Sequence, residues 1–314
     1  MNPLSLIYGL GARGRNALYD RGIRRPLALR RPVVSVGNLS VGGSGKTPFI
    51  LWLGRMLQAR GVAFDVLSRG YARSSRGVAI VDPSGSARDF GDEPLLIARQ
   101  LGVPVIIGES RYEAGLLAES KFGARLHLLD DGFQHRQLAR DFDIVLMTQR
   151  DLRDDLLPFG RLREPLQSLH RADAVVLMDE MDPHALPILD QKIWHARRGI
   201  ALDAMPPRPV IFCGIARPEV FAEQLRARGV QPAASRFFPD HHAYTARDIQ
   251  ELVKLRMESG ADGFIATEKD VVNLGGLQSA LAPLAVPRVT IEVADAEDAV
   301  SAILRRIDER KPRT

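Results

Sequence analysis

A glycine-rich turn set between a strand pattern and a helix pattern constrains this chain more than any other feature. Residues 32–36 read as a buried strand and 49–60 as a helix. Between them run Gly37-Asn38-Leu39-Ser40-Val41-Gly42-Gly43-Ser44-Gly45-Lys46-Thr47-Pro48. Glycines let backbone N–H groups turn inward and approach phosphate oxygens closely, and the N-terminus of the following helix adds partial positive charge. Gly42, Gly43, Ser44 and Gly45 are the expected cradle, with Lys46 reaching the β- and γ-phosphates and the Thr47 hydroxyl holding Mg²⁺. Pro48 costs the helix nothing, because its missing N–H has no partner in a first turn. Ser40 departs from the pattern, standing where the usual spacing has glycine. A glycine turn that only caps a helix is the competing reading, and it leaves the entering strand and the run of glycines unexplained.

The rest of the chain repeats the alternation. Strand patterns fall at 64–67, 78–81, 103–107, 126–129, 144–147 and 174–178, with helical patterns at 94–101 and 111–122. Short, continuously apolar strands with helical crossovers signify a mostly parallel sheet covered on both faces. Around 179–209 prolines loosen the pattern, and 192–201 reads as a short extended connection. Strands at 210–215, 236–238, 263–267 and 289–293 then alternate with helices at 219–228, 245–258 and 296–310, the second opened by a Thr245/Asp248 capping box. The predicted organisation is an N-terminal arm at 1–31, a phosphate-loop α/β domain at 32–190, a linker at 191–207 and a smaller α/β domain at 208–314.

Composition narrows the class. Apolar residues at 45% and charged residues at 26% exclude a disordered chain. One cysteine, Cys213, excludes an intrachain disulfide and a multi-cysteine zinc site, and its apolar surroundings predict a core thiol. No apolar run approaches a membrane span. The formal charge of +5 is concentrated, since residues 1–31 hold seven arginines against the single carboxylate Asp20. In that arm Leu4, Ile7, Leu10, Ala17 and Leu18 share a broad helical face, beside Arg13, Arg15 and Arg21. The apolar patch precedes the positive charge, the reverse of a signal peptide.

Phosphate loops take a further magnesium ligand from an aspartate ending a buried strand, and Asp130-Asp131 after the apolar run 126–129 supplies one. The bland alternative is an aspartate pair capping the next turn. Asp92, before Pro94, reads as a helix N-cap. Arg163 reads as a phosphate clamp or a solvated loop arginine. Asp240-His241-His242 fits a metal site, a proton relay or an ordinary loop.

Taken in order, Gly42-Gly43-Ser44-Gly45-Lys46-Thr47-Pro48, Ser68-Arg69-Gly70-Tyr71, Gly91-Asp92-Glu93-Pro94, Asp130-Asp131-Gly132-Phe133-Gln134-His135-Arg136, Leu162-Arg163-Glu164-Pro165, Asp240-His241-His242 and Thr267-Glu268-Lys269-Asp270 resemble the tetraacyldisaccharide 4′-kinases, the lipid A kinases of Gram-negative bacteria. That family also lacks a glycine at the position of Ser40. The resemblance implies two α/β domains joined by a short β linker. It implies ATP and Mg²⁺ as cofactors and an acylated glucosamine disaccharide 1-phosphate as lipid substrate, phosphorylated at its 4′-hydroxyl to give lipid IVA. It implies Asp92 as general base paired with His241 or His242, which the motif does not distinguish. Lys46 and Arg163 join the catalytic set, and Thr47, Asp130 and Asp131 the metal side. Tyr71, Arg111, Gln134, His135 and Glu164 are implied near substrate or nucleotide. The arm then becomes a contact with an anionic membrane, peripheral on the cytoplasmic face of the inner membrane, with no nucleic acid and no obligate protein partner. A helix packed on the first domain with solvated arginines is the plainer reading of the same residues.

Two rivals remain at this stage. A nucleotide-switched, GTPase-like regulator wants an Asn-Lys-x-Asp string, which Thr267-Glu268-Lys269-Asp270 only distantly echoes. A metal-dependent phosphoesterase built on Asp240-His241-His242 leaves the phosphate loop without a role.

Overall fold

The computed structural model describes residues 3–71, 73–179, 181–187, 190–201 and 205–310. Helix α1 (Pro3–Asp20) leads into strand β1 (Val33–Asn38), the glycine loop and α2 (Lys46–Ala59). There follow β2 (Phe64–Ser68), β3 (Ala79–Ile80), α3 (Ala87–Phe90), α4 (Asp92–Leu101), β4 (Val105–Ile107), α5 (Arg111–Lys121), β5 (Leu126–Asp130), β6 (Phe142–Met147), β7 (Ala174–Met178) and β8 (Lys192–Ala201). The second half runs through β9 (Pro209–Cys213), α6 (Pro218–Ala227), β10 (Ala234–Phe237), α7 (Ala246–Ser259), β11 (Gly263–Ile265), α8 (Glu268–Leu274), β12 (Leu284–Ala285), β13 (Arg288–Val293) and α9 (Ala296–Asp308).

Two sheets result. The larger has nine strands in the order β13-β8-β7-β6-β1-β5-β2-β4-β3, and the smaller has four, β10-β9-β11-β12. Pairing is parallel throughout except where β3 meets β4 and β13 meets β8. Strands β1, β2, β5, β6 and β7 are buried along their whole length, which is why they read as unbroken apolar runs. Leu53, Leu57, Leu95, Ile97, Val300 and Ile303 fill one face of the large sheet, from α2, α4 and α9. Leu29, Ala114 and Ala118 cover part of the other. The small sheet is packed by α7 on one face and α6 on the other.

The mostly parallel α/β fold agrees with expectation, and so does the Thr245/Asp248 capping box. The expected extent of the smaller domain does not match the pairing. β13 lies antiparallel to β8 at the edge of the large sheet, and α9 buries Ala299, Val300, Ile303 and Ile307 in that sheet's core. Residues 192–201 are likewise a full strand between β7 and β13 rather than a free connection. The physical reason is the apolar alternation of Trp194, Ala196, Ile291 and Val293, which needs a core to enter and finds it in the larger layer. The β8–β13 pair is the two-stranded bridge by which the chain leaves for the small sheet and returns. Residues 202–204 of the expected linker and 311–314 of the expected smaller domain lie outside the described residues.

Candidate active site

Parallel α/β sheets bind ligands beyond the carboxyl ends of their strands. Here both sheets turn those ends toward one cleft of about 960 Å³, lined on one side by residues 41–48, Ser68, Arg69, Asp92, Asp130 and Asp131 and on the other by 215–217, Asp240, His241 and 267–269.

The glycine loop is shaped before any ligand arrives. Gly42, Gly43 and Gly45 have φ of 75°, 53° and 90°, a region that L side chains rarely adopt. Ser40 needs no such freedom. It is buried, bridges to Leu162, and its carbonyl accepts a 2.7 Å bond from the Asn38 side chain. Asn38 organises the rest of the turn: its Oδ1 accepts from Lys46 Nζ at 3.0 Å and from Arg163, and its carbonyl accepts from Gln134 at 2.9 Å. Ser44 is buried with its hydroxyl unpartnered, and Thr47 is buried in the first turn of α2.

At the end of β5 the two aspartates divide. Asp131 takes a bidentate pair from Arg163, both bonds 2.8 Å, and lies 3.4 Å from Lys46. Burial raises its pKa, but Lys46 and Arg163 outweigh that and hold the carboxyl well below the usual range. Asp130 has only the Ser68 hydroxyl, at 2.8 Å, and its Oδ1 is buried without a partner. Burial, with the nearby charges of Glu93 and Asp131, pushes Asp130 up to about 7.

Across the cleft, His241 Nδ1 meets Asp92 Oδ2 at 2.8 Å. Asp92 is the first residue of α4 rather than its cap, which is Gly91, and its Oδ1 accepts the N–H of Glu93 at 2.8 Å. Asn273 donates to Oδ2 at 3.2 Å and Lys269 stands 3.9 Å away. Burial pushes the Asp92 carboxyl up, but the His241 bond, Lys269 and Asn273 hold it down at about 2. The same bond raises His241 above its ordinary value, with burial and Lys269 opposing. Tyr71, on the large-sheet side, lies with its ring centroid 5.4 Å from that of His241.

The other expected residues separate. His242 turns from the cleft: it stacks on Phe238 at 4.6 Å and meets Asp248 at 3.1 Å, closing the start of α7. The geometry thus pairs Asp92 with His241 and gives His242 a different carboxylate partner, Asp248. It also dismantles the phosphoesterase cluster, since the two imidazoles have different partners, and no group of three metal-binding side chains occurs among the described residues. Glu164 is fully buried, bonded to Arg171 at 2.8 Å and to Asn16 of α1 at 2.6 Å. Arg111 is buried at the start of α5 with Nε unpartnered. His135 is driven down to about 4 by burial and by Arg111, Arg140, Arg69 and Arg15, which marks a cluster of cations around its ring. Asn38, Glu93, Asn273, Arg198 and Arg217 were not singled out from sequence. Asn38 and Glu93 sit within strings already quoted, and the other three carry no local signal.

The sequence profile of the tetraacyldisaccharide-1-P 4′-kinases matches residues 1–308. The chain belongs to that family. It is 49% identical to the tetraacyldisaccharide 4′-kinase of Koribacter versatilis, over 99% of this chain and 100% of that one. With the kinase of Aquifex aeolicus the identity is 38%, over 89% and 91%. The fold matches the crystal structure of Aquifex aeolicus LpxK, a structure in complex with ATP, with a TM-score of 0.80 at 33% identity, covering 97% of this chain and 98% of that one. Membership in the 4′-kinase family leaves the GTPase-like reading without support.

The site of this 4′-kinase family member fits a divalent cation. Asp130 offers a buried carboxylate oxygen with no hydrogen-bond partner among the described residues, and burial with the charges of Glu93 and Asp131 works against its ionising alone. Thr47 stands at the head of α2 on the same cleft. One or two protein oxygens, with phosphate and water completing the shell, is the usual way Mg²⁺ is held.

Proposed function

We infer that this chain transfers the γ-phosphoryl group of ATP to the 4′-hydroxyl of a tetraacyldisaccharide 1-phosphate, the step that gives lipid IVA in lipid A biosynthesis. The observation that carries the reading is the Asp92–His241 pair, held at 2.8 Å in the same cleft as Lys46 and the loop glycines. A sugar hydroxyl is a weak nucleophile at neutral pH, so a placed acceptor for its proton assists the transfer. The 4′-oxygen bonds to the γ-phosphorus, the bond to the bridging oxygen breaks, and ADP leaves. The hydroxyl proton passes to the Asp92–His241 pair, which takes it as a unit. Lys46 and Arg163 offset negative charge on the phosphates. Mg²⁺, held by Thr47 and Asp130, would supply further charge compensation. Asp131 acts by positioning Arg163 and Lys46.

Arg111 and His135, with Arg69 and Arg15 acting on His135, suit the substrate's 1-phosphate, and the unpartnered Arg111 Nε supports that. Because Asp92 lies on the larger unit and His241 on the smaller, closure of the cleft assembles the base. The protein is proposed to work peripherally at the cytoplasmic face of the inner membrane. No helix among the described residues is long and apolar enough to cross a membrane, while Leu4, Ile7 and Leu10 of α1 are 55%, 65% and 64% exposed. The test follows labelled phosphate from ATP into detergent-dispersed tetraacyldisaccharide 1-phosphate. Transfer that is abolished in Lys46→Ala and in Asp92→Asn is the expected result, and normal turnover in Asp92→Asn removes the base assignment.

A further inference from the structure

Of the string Thr267-Glu268-Lys269-Asp270, the first three residues line the cleft and the last does not. Asp270 is fully buried, and four donors converge on its carboxylate. Oδ1 accepts the Gly214 N–H at 2.7 Å and the Tyr244 hydroxyl at 2.8 Å. Oδ2 accepts the Thr267 N–H at 2.9 Å and the Thr267 hydroxyl. An ionised carboxylate only accepts, so it suits four donors, whereas an amide would turn its own N–H groups toward two of them. Burial raises the Asp270 pKa, and the four donors oppose that.

The three segments tied here carry every group of the smaller unit that is bonded or ion-paired to Asp92 among the described residues: His241 at 2.8 Å, Asn273 at 3.2 Å and Lys269 at 3.9 Å. Lys269 and Asn273 stand one turn apart on α8, whose start Thr267 and Asp270 cap with reciprocal bonds. His241 hangs between the other two ties. The Gly214 carbonyl accepts its N–H at 3.1 Å, and Tyr244 follows three residues later. The Tyr244 ring meets His242 and Phe238 edge-on, at 5.0 and 5.1 Å between centroids. A Cβ on Gly214 would stand 2.9 Å from His242 Cβ, so the strand end and the histidine loop interlock. His241 itself has φ of 58°, a conformation that persists in a side-chain-bearing residue only where its surroundings over-determine it. Each of these ties is internal to the smaller unit, and none reaches the glycine loop.

We propose that Asp270 is a positioning residue of the phosphoryl transfer, holding His241 and the Lys269–Asn273 face of α8 in register about Asp92. Removing its acceptors frees the histidine loop and α8 from each other, and His241 then spends less time on Asp92. The imidazole faces Asp92 and Lys269, with Asp240 3.7 Å from Nε2 and the Tyr71 ring beside it. The bond to Asp92 is the largest influence raising His241, burial and Lys269 oppose it, and Asp240 travels on the same loop. Loosening the pair therefore moves the titration of His241 down, toward its ordinary 6.5.

The inference rests on the Asp92–His241 pair being the base, and the experiment separates the two. Rates of phosphate transfer from ATP to the lipid are followed against pH in the wild type, Asp270→Asn, Tyr244→Phe, Leu252→Ala and His241→Ala, below the lowest melting temperature of the set. Asp270→Asn is expected to lower the plateau kcat by roughly 10–100-fold and to move the ascending limb to lower pH. Tyr244→Phe removes one donor and keeps the packed ring, so it is expected to move the limb the same way by less. Leu252→Ala opens a cavity in the core of the same unit, and is expected to lower the melting temperature while limb and kcat stay put. Limb and kcat unchanged in both Asp270→Asn and Tyr244→Phe overturn the proposal, whatever their melting temperatures, as does an equal shift in Leu252→Ala. Should Asp270→Asn fail to fold, an unmoved limb in Tyr244→Phe overturns it alone. If His241→Ala keeps the wild-type limb and kcat, the base reading itself falls.

Discussion

Asp92 and His241 illustrate how neighbours set the working pH of a base. His241 is raised above its ordinary 6.5 by the bond to Asp92, against burial and Lys269, and the pair is competent to accept a proton only once the imidazole has lost its own. Hence kcat should climb as pH rises through an apparent value above 6.5 and level off beyond it. His241→Ala should abolish that limb and lower kcat by about 10²–10⁴-fold. His242→Ala should keep the limb in place and cost about 1 kcal/mol of stability, through the lost stacking on Phe238. A pH–rate series on the three proteins decides it, and a limb that moves with His242 instead reverses the pairing. Lys46 was legible from the run of glycines before it, and Asp130 and Asp131 because they stand together at the exit of a buried strand. The choice between His241 and His242 was not, because adjacent residues look alike until φ is known. His241 has φ of 58°, which turns its ring from its neighbour's direction.

Helix α1 shows what an element's pattern reveals and what it conceals. Its helical form was readable from the spacing of Leu4, Ile7 and Leu10. Its orientation was not, for the helix docks by its polar side: Ser5 bonds the Leu156 carbonyl at 2.9 Å, and Asn16 bonds Glu164. Ala17 and Leu18 are half-buried rather than sharing the open face. Burial raises Glu164, but Arg171, Asn16 and Arg15 outweigh it and lower its pKa below the ordinary 4.5. Its contribution to stability is therefore present above pH 4.5 and lost as pH falls through the depressed folded value. Glu164→Ala, leaving Arg171 buried without its partner, should cost about 3–5 kcal/mol in denaturant unfolding. A loss below 1 kcal/mol would argue that α1 is anchored elsewhere. Replacing Ile7 and Leu10 by Glu should leave the melting temperature unchanged and cut binding to anionic vesicles by roughly tenfold or more.

At the scale of the molecule, few polar contacts close the cleft between the sheets. Lys269 of α8 stands 3.0 Å from Glu93 and 3.9 Å from Asp92 of α4, beside the bonds from His241 and Asn273. Burial lowers the Lys269 pKa, but the carboxylates raise it further, so the ammonium stays charged and holds both acids. In Lys269→Ala, amide exchange in α4 and α8 of the nucleotide-free protein should quicken by roughly tenfold, and unchanged exchange would place the clamp elsewhere. The repeated strand–helix pattern made both sheets legible. It did not reveal which sheet β13 joins, because register between distant strands is set by packing and not by local sequence.

The route of the chain through β8 and β13 bears on how the molecule is made. The smaller sheet is an insertion: every residue of it is translated before β13 and α9, which complete the larger sheet's edge and core. During synthesis the phosphate-loop half must wait, the α9 part of one apolar face open, while the inserted half emerges and folds. Removing α9 should therefore unfold not its neighbours in sequence but the layer that formed first.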